Sequence, residues 1–180
     1  MRRRRALWIG ASAVALAVII TAGVLISRPG VPVVELTSAV TFPDQARGHP
    51  AGTVTYKVTP PVGGDHAEVG QKCGIYLEPV ANENAVHSLE HGATWITYRP
   101  DLPADQVKVL QDAVRNHPYG LLSPYPGLPA PVVASVWGVQ LKVESATDPQ
   151  VATFIARYAD GSKAPEPKAG CSSGVGNPQR

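Results

Sequence analysis

The chain has 180 residues, which suits one domain with appendages, and its 44% hydrophobic content excludes wholesale disorder. The formal charge of +2 is unevenly spread: Arg2, Arg3, Arg4, Arg5 and Arg28 supply five of the 16 basic residues, and no acidic residue precedes Glu35. The remainder carries 11 basic against 14 acidic residues, a formal −3, so composition gives no nucleic-acid-binding face.

From the N-terminus, residues 1–5 read as a basic cytoplasmic tail. Residues 6–26 are uncharged, with Ser12 and Thr21 among the few polar breaks. At 1.5 Å per residue this run spans the roughly 30 Å hydrocarbon core of a bilayer. Trp8 stands at its inner edge, and the arginines favour a cytoplasmic N-terminus. The run is longer than the apolar core of a cleaved signal peptide and ends in Ile26-Ser27-Arg28-Pro29, a poor cleavage site. The expectation is a single-pass anchor with the rest of the chain outside the cytoplasm, the membrane being one partner and a membrane protein a further possible one.

Residues 27–52 contain Pro29, Gly30, Pro32, Pro43, Gly48, Pro50 and Gly52 without periodicity and read as a stalk. Thr53 to Val58 alternates and is β-branched, which predicts a strand, ended by the Thr59-Pro60-Pro61-Val62-Gly63-Gly64 turn. A loop holding His66 and Cys73 follows. Asn82 to His91 predicts a short helix stopped by Gly92, then Ala93 to Tyr98 a strand. Pro103 to Asn116 is an amphipathic helix through Leu102, Val107, Leu110 and Val114, its cap coming from Asp101 or the loop before it. Tyr119 to Ser123 predicts a strand, and Val132–Trp137 with Val139–Val143 two more joined at Gly138. Asp148 caps a last helix to about Tyr158, with Pro149 at its first position. The fold class is therefore α+β: a loop-rich domain over residues 53–160 with a small mixed sheet and two main helices. Residues 161–180 form a Pro/Gly/Ser-rich tail.

The sharpest chemical feature is His87-Ser88-Leu89-Glu90-His91. Histidines at i and i+4 share one face of a helix, so two imidazoles can reach one ion. The spacing also matches the His-x-x-Glu-His zinc-hydrolase signature, in which Glu90 would activate water. Gly92 cuts the helix short and no long helix carries the motif, which counts against that reading. His66, after Gly63-Gly64-Asp65, is the natural third ligand, with Asp65 or Glu90 available to orient an imidazole. The alternative is that His66, His87 and His91 only tie loops together by hydrogen bonds. His49 and His117, in Gly/Pro surroundings, read as surface residues.

Cys73 and Cys171 are the only cysteines, and outside the cytoplasm a disulfide tethering the tail is the expected state. The competing arrangement makes Cys73 a thiolate ligand beside His66. Met1 is the sole methionine, which disfavours methionine-based copper sites and leaves copper(II) or zinc on imidazoles. Trp95, Trp137, Tyr98 and Tyr125 read as core or loop-bracing residues, with ligand stacking as the alternative. The sequence contains no phosphate loop, Gly-x-Ser-x-Gly elbow or Cys-x-x-Cys.

Four stretches together, Thr59–His66, Cys73–Tyr76, Glu83–Gly92 and Leu122–Pro129, resemble domain-of-unknown-function family 3105 over roughly residues 40–175. The resemblance departs from the family's commoner form at Asp65 and before Cys73. It implies bacterial, largely actinobacterial, membrane-anchored proteins, and it implies that His66, His87 and His91 lie in characteristic motifs. It carries no reaction. The leading expectation is thus an extracytoplasmic domain that binds copper or zinc through His66, His87 and His91. A metal-free accessory subunit of a membrane complex and a zinc hydrolase using Glu90 are the alternatives.

Overall fold

The computed structural model describes residues 34–167 and 169–179. The basic tail 1–5, the apolar segment 6–26 and the start of the Pro/Gly-rich arm lie outside the described residues. Among those described, no helix is long and apolar enough to cross a membrane.

The described residues form nine elements in order: β1 (Ala39–Thr41), β2 (Gly74–Ile75), α1 (Asn82–Glu90), β3 (Thr94–Tyr98), α2 (Ala104–Arg115), β4 (Gly120–Pro124), β5 (Val132–Val136), β6 (Val139–Val143) and α3 (Pro149–Tyr158). The strands form one mixed sheet in the order β1-β6-β5-β3-β4-β2. β3 and β4 run parallel, as the α2 crossover between them requires, with Trp95 opposite Leu121. β5 lies antiparallel to β3 and returns through Gly138 (φ 69°) into β6. That positive φ is why a glycine stands at the hairpin turn.

Strand alternation divides the sheet into two buried faces. Ile96, Leu122, Ala134 and Leu141 point to one side, where Leu110 and Val114 of α2 and Val151, Phe154 and Tyr158 of α3 cover them. Trp95 and Leu121 point to the other, under Ala85, Val86 and Leu89 of α1 and beside Trp137. The Trp95 indole N–H donates to Ser123 Oγ at 3.0 Å, so the one polar atom of this buried ring is paired. α3 starts as its sequence predicts: the Asp148 carboxylate accepts from the Gln150 N–H at 2.8 Å and Pro149 occupies the first turn. α2 begins one residue after Pro103, which sits at the cap without a side-chain hydrogen bond, so neither Asp101 nor any other side chain caps it.

Several expectations are corrected. Residues 53–58 form no strand. Their backbone is claimed by a side chain instead, Val54 N–H donating to Glu83 Oε1 at 3.0 Å. The arm is not all stalk, because Ala39–Thr41 pairs with Val139–Leu141 as an edge strand of the sheet. The folded unit accordingly begins before residue 53. The short helix expected from Asn82 is present as α1, ending at Glu90 beside the two main helices. The tail beyond residue 160 is tethered by the expected Cys73–Cys171 disulfide, and Val175 bridging to Gln71 and Gln179 to Ile75 add backbone contacts that the sequence did not announce. This disulfide removes Cys73 as a thiolate ligand.

Candidate metal centre

The site is built where three segments meet on the α1 side of the sheet. α1 contributes His87, Glu90 and, at its C-terminal cap, His91. Gly92 follows with φ 100°, a conformation only glycine adopts freely, and a Cβ on it would come within 3.3 Å of Gly161 Cα. The helix therefore stops at Glu90 and the tail packs directly against the stop.

The loop 64–72 is zipped onto α1. Gln71 N–H donates to the Asn84 carbonyl (3.0 Å), Ser88 Oγ to the Gln71 carbonyl (2.7 Å) and Asn84 Nδ2 to the Val69 carbonyl (2.6 Å). Gly70 makes this approach possible, since a Cβ there would stand 3.0 Å from His87 Cδ2. The arm is fixed to the same loop: Gly48 N–H donates to Asp65 Oδ1 (2.8 Å) and His66 N–H to the Gly48 carbonyl (2.9 Å). Asp65 thus orients no imidazole. It holds the Gly48 backbone, and through it sets His49 beside His66.

Each of the three predicted histidines spends Nδ1 on a backbone carbonyl. His66 Nδ1–H donates to Gly64 O and His87 Nδ1–H to Ala67 O, both at 2.8 Å, and His91 Nδ1–H to Gly170 O at 3.3 Å. A carbonyl only accepts, so Nδ1 carries the proton in all three rings, which leaves Nε2 of neutral His87 and His91 with its lone pair available. His66 Nε2 lies 2.9 Å from Glu90 Oε2, with both side chains buried. One proton is shared across that contact: an imidazolium on a carboxylate, or an imidazole accepting from a carboxyl.

His49, His66, His87 and Glu90 have ligand atoms all within 4.8 Å of one another, a group able to hold a metal ion. The His66 ring centroid is 4.5 Å from that of His49 and 5.3 Å from that of His87, and His49 to His87 is 5.9 Å. Imidazoles bound to one ion at about 2.0–2.1 Å hold their centroids roughly 4–6 Å apart, so the spacing fits. Trp137 closes the inner side, its ring 5.9 Å from His66. Desolvation lowers the pKa of the His87 imidazole below the ordinary histidine value, and the nearby His91 and His66 act in the same direction, while the Ala67 hydrogen bond opposes them. A neutral ring is the form that ligates.

Of the predicted trio, His66 and His87 share this group. His91 stands next to it, its ring 4.4 Å from His87, and its ligand atom groups with Glu90 and Glu166. Glu90 is buried and faces His66, not water. His49 is exposed, as expected of a surface residue, yet its ring belongs to the cluster. Periodicity carries no signal for it, because it sits in an irregular Gly-His-Pro stretch 17 residues before His66. His117 is buried, contrary to expectation, with its Nδ1 accepting from Tyr119 N–H at 3.1 Å.

A groove of about 760 Å³ is lined by Lys72, Ile75, Arg115, His117, Cys171 and Pro178 among others and touches none of His49, His66, His87, Glu90 or His91. It is set apart from the imidazole chemistry. A smaller cleft of about 160 Å³ opens directly onto His87 and His91, between Glu68, Gly70 and Gly170.

Neither the curated proteins nor the solved structures contain a match to this chain. A family model does match: residues 49–173, well over half of the chain, fit the family described as "Protein of unknown function (DUF3105)". The match spans His49, both cysteines and the whole His/Glu cluster. On that match the chain belongs to the DUF3105 family.

Proposed function

We propose that the domain is a transition-metal-binding module that takes one divalent zinc or copper ion on His49, His66, His87 and Glu90. The observation that carries this reading is the shared hydrogen-bond pattern of the histidines. His66 and His87, and His91 beside them, each give Nδ1–H to a backbone carbonyl, which makes Nε2 the ligand atom of each neutral ring. Histidine ligands are ordinarily held in this way, the outer hydrogen bond fixing tautomer and ring orientation. Three imidazole nitrogens and a carboxylate suit a borderline divalent ion, and with both cysteines in a disulfide no thiolate draws the preference toward soft ions.

Four protein ligands around one ion make a closed site, which favours holding or carrying the ion over catalysis on it. Glu90 contributes a ligand oxygen in this reading, which leaves no residue of the His-x-x-Glu-His motif as the base of a hydrolase. The disulfide supports an oxidising compartment, in keeping with anchorage by residues 6–26 and a domain outside the cytoplasm.

A second reading keeps the cluster metal-free, as a brace within an accessory subunit, and the 2.9 Å His66–Glu90 pair favours it. Elemental analysis of the purified full chain, after loading with zinc or copper(II) and desalting, separates the two. At least one equivalent retained, with one equivalent lost in a His49→Ala/His87→Ala variant, is the expected result. No stoichiometric metal in the intact chain would leave only the brace.

A further inference from the structure

We propose that Glu90 bridges two metal positions, the second being held by Glu90, His91 and Glu166 on the solvent side of the first. This rests on the metal-binding reading above, and it extends the site to residues that reading does not use. The ligand atoms of Glu90, His91 and Glu166 also lie within 4.8 Å of one another. Glu90 commits Oε2 to His66, which leaves its other carboxylate oxygen available for a second contact. A carboxylate with one oxygen engaged and a second available has the form of a bridging ligand.

The outer donors are positioned independently of any ion. His91 gives Nδ1–H to the Gly170 carbonyl, which leaves Nε2 directed at Glu166 Oε2, 3.6 Å away. That distance is too long for a hydrogen bond. It is the separation of two donors on one ion, since ligands about 2.0–2.2 Å from a common centre stand roughly 3–4 Å apart. Glu166 is brought there by its own backbone, its N–H donating to the Glu90 carbonyl at 3.0 Å. Farther along, the Cys171–Cys73 bond fixes the tail segment that carries the Gly170 carbonyl.

With one imidazole and two carboxylates, this position takes a borderline divalent ion such as zinc or copper(II). Three protein donors leave it open to water or an exchanging ligand. The Glu166 side chain is 59% exposed and the cleft beside His91 gives access, so the outer ion exchanges faster than the inner one. The cluster is then an asymmetric pair: an enclosed four-donor position and an open three-donor position sharing Glu90.

Zinc ion is titrated into the metal-free full chain in detergent, with stoichiometry read by calorimetry and elemental analysis. Two equivalents are expected, falling to one in a His91→Ala/Glu166→Gln variant that keeps the tighter phase. Glu166→Gln alone changes only an exposed side chain and is expected to weaken the second phase at least tenfold. One equivalent in the unaltered chain overturns the outer position while leaving the inner one standing. None overturns both, and two equivalents surviving in the double variant place the second ion elsewhere and refute the assignment. The bridge has its own readout in copper(II): ions roughly 3.5–4 Å apart couple magnetically, so the resonance signal per copper falls when the second equivalent is added. Two undiminished, independent signals would show that Glu90 joins nothing.

Discussion

Replacing Glu90 by alanine tests how much of the site's architecture rests on one carboxylate. His66 is fully buried and Glu90 nearly so, with 2.9 Å between Nε2 and Oε2. Removing one partner of a buried pair leaves the other desolvated without compensation, which costs about 3–5 kcal/mol. For a domain of this size each kcal/mol lowers Tm by about 2–4 °C, so the metal-free variant should melt roughly 6–20 °C below the parent. A His66→Ala/Glu90→Ala double variant should lose less than the sum of the single losses, with a coupling of at least about 1 kcal/mol. Zinc adds a second arm. At a free concentration one hundred times Kd, binding stabilises the parent by about 2.7 kcal/mol, or roughly 5–11 °C, and the variant far less. Thermal melts followed by circular dichroism, with and without zinc, measure both effects. A metal-free Glu90→Ala variant melting within about 2 °C of the parent, or one raised by zinc as far as the parent, would refute the reasoning.

His49→Ala should leave the metal-free melt within about 0.5 kcal/mol of the parent, because the residue is exposed, yet reduce the zinc-induced rise; an undiminished rise removes His49 from the ligand set. Gly92→Ala forces a side chain into φ 100° against Gly161 and should cost about 1–3 kcal/mol, measured by urea denaturation, whereas a neutral result would contradict the tight stop after α1. Breaking the Cys73–Cys171 bond, 98 residues apart in sequence, by Cys171→Ser and Cys73→Ser together removes up to about 4.7 kcal/mol in the chain-entropy account. It should also weaken the His91 position, and unchanged stability would show that the tail stays docked without it. Burial lowers the pKa of both His87 and His117, so between their folded values and the ordinary histidine pKa the unfolded chain binds more protons. Metal-free stability from these two groups is therefore full near pH 7 and declines as pH falls below about 6.5. A His87→Asn/His117→Asn variant should show a shallower decline in its urea midpoint, and an identical profile would contradict the assignment.

Local chemistry makes much of the fold legible. The α3 start is readable because Asp148 and Pro149 act within one turn, and the β5–β6 hairpin because Gly138 interrupts two β-branched runs. The His87–His91 spacing by itself announces a shared helix face. What stays hidden depends on partners distant in sequence. β1 is three residues in a proline-rich arm, and its existence follows only from pairing with Val139–Leu141 about one hundred residues later. Conversely, Thr53–Val58 has the composition of a strand, but it joins no sheet and a helix side chain takes up the Val54 N–H. His49 and Glu166 escape a reading of the sequence for the same cause. Each enters the cluster through a backbone hydrogen bond made by itself or its neighbour, Gly48 to Asp65 and Glu166 to the Glu90 carbonyl, and neither bond leaves a trace in periodicity.

X-ray absorption at the metal edge of the full chain loaded with one equivalent of zinc tests the central claim most directly. The account predicts a shell of nitrogen and oxygen at about 2.0–2.1 Å, with the multiple-scattering pattern of three imidazoles and no sulfur. A sulfur shell near about 2.3 Å, or a light-atom shell without imidazole scattering, would contradict it.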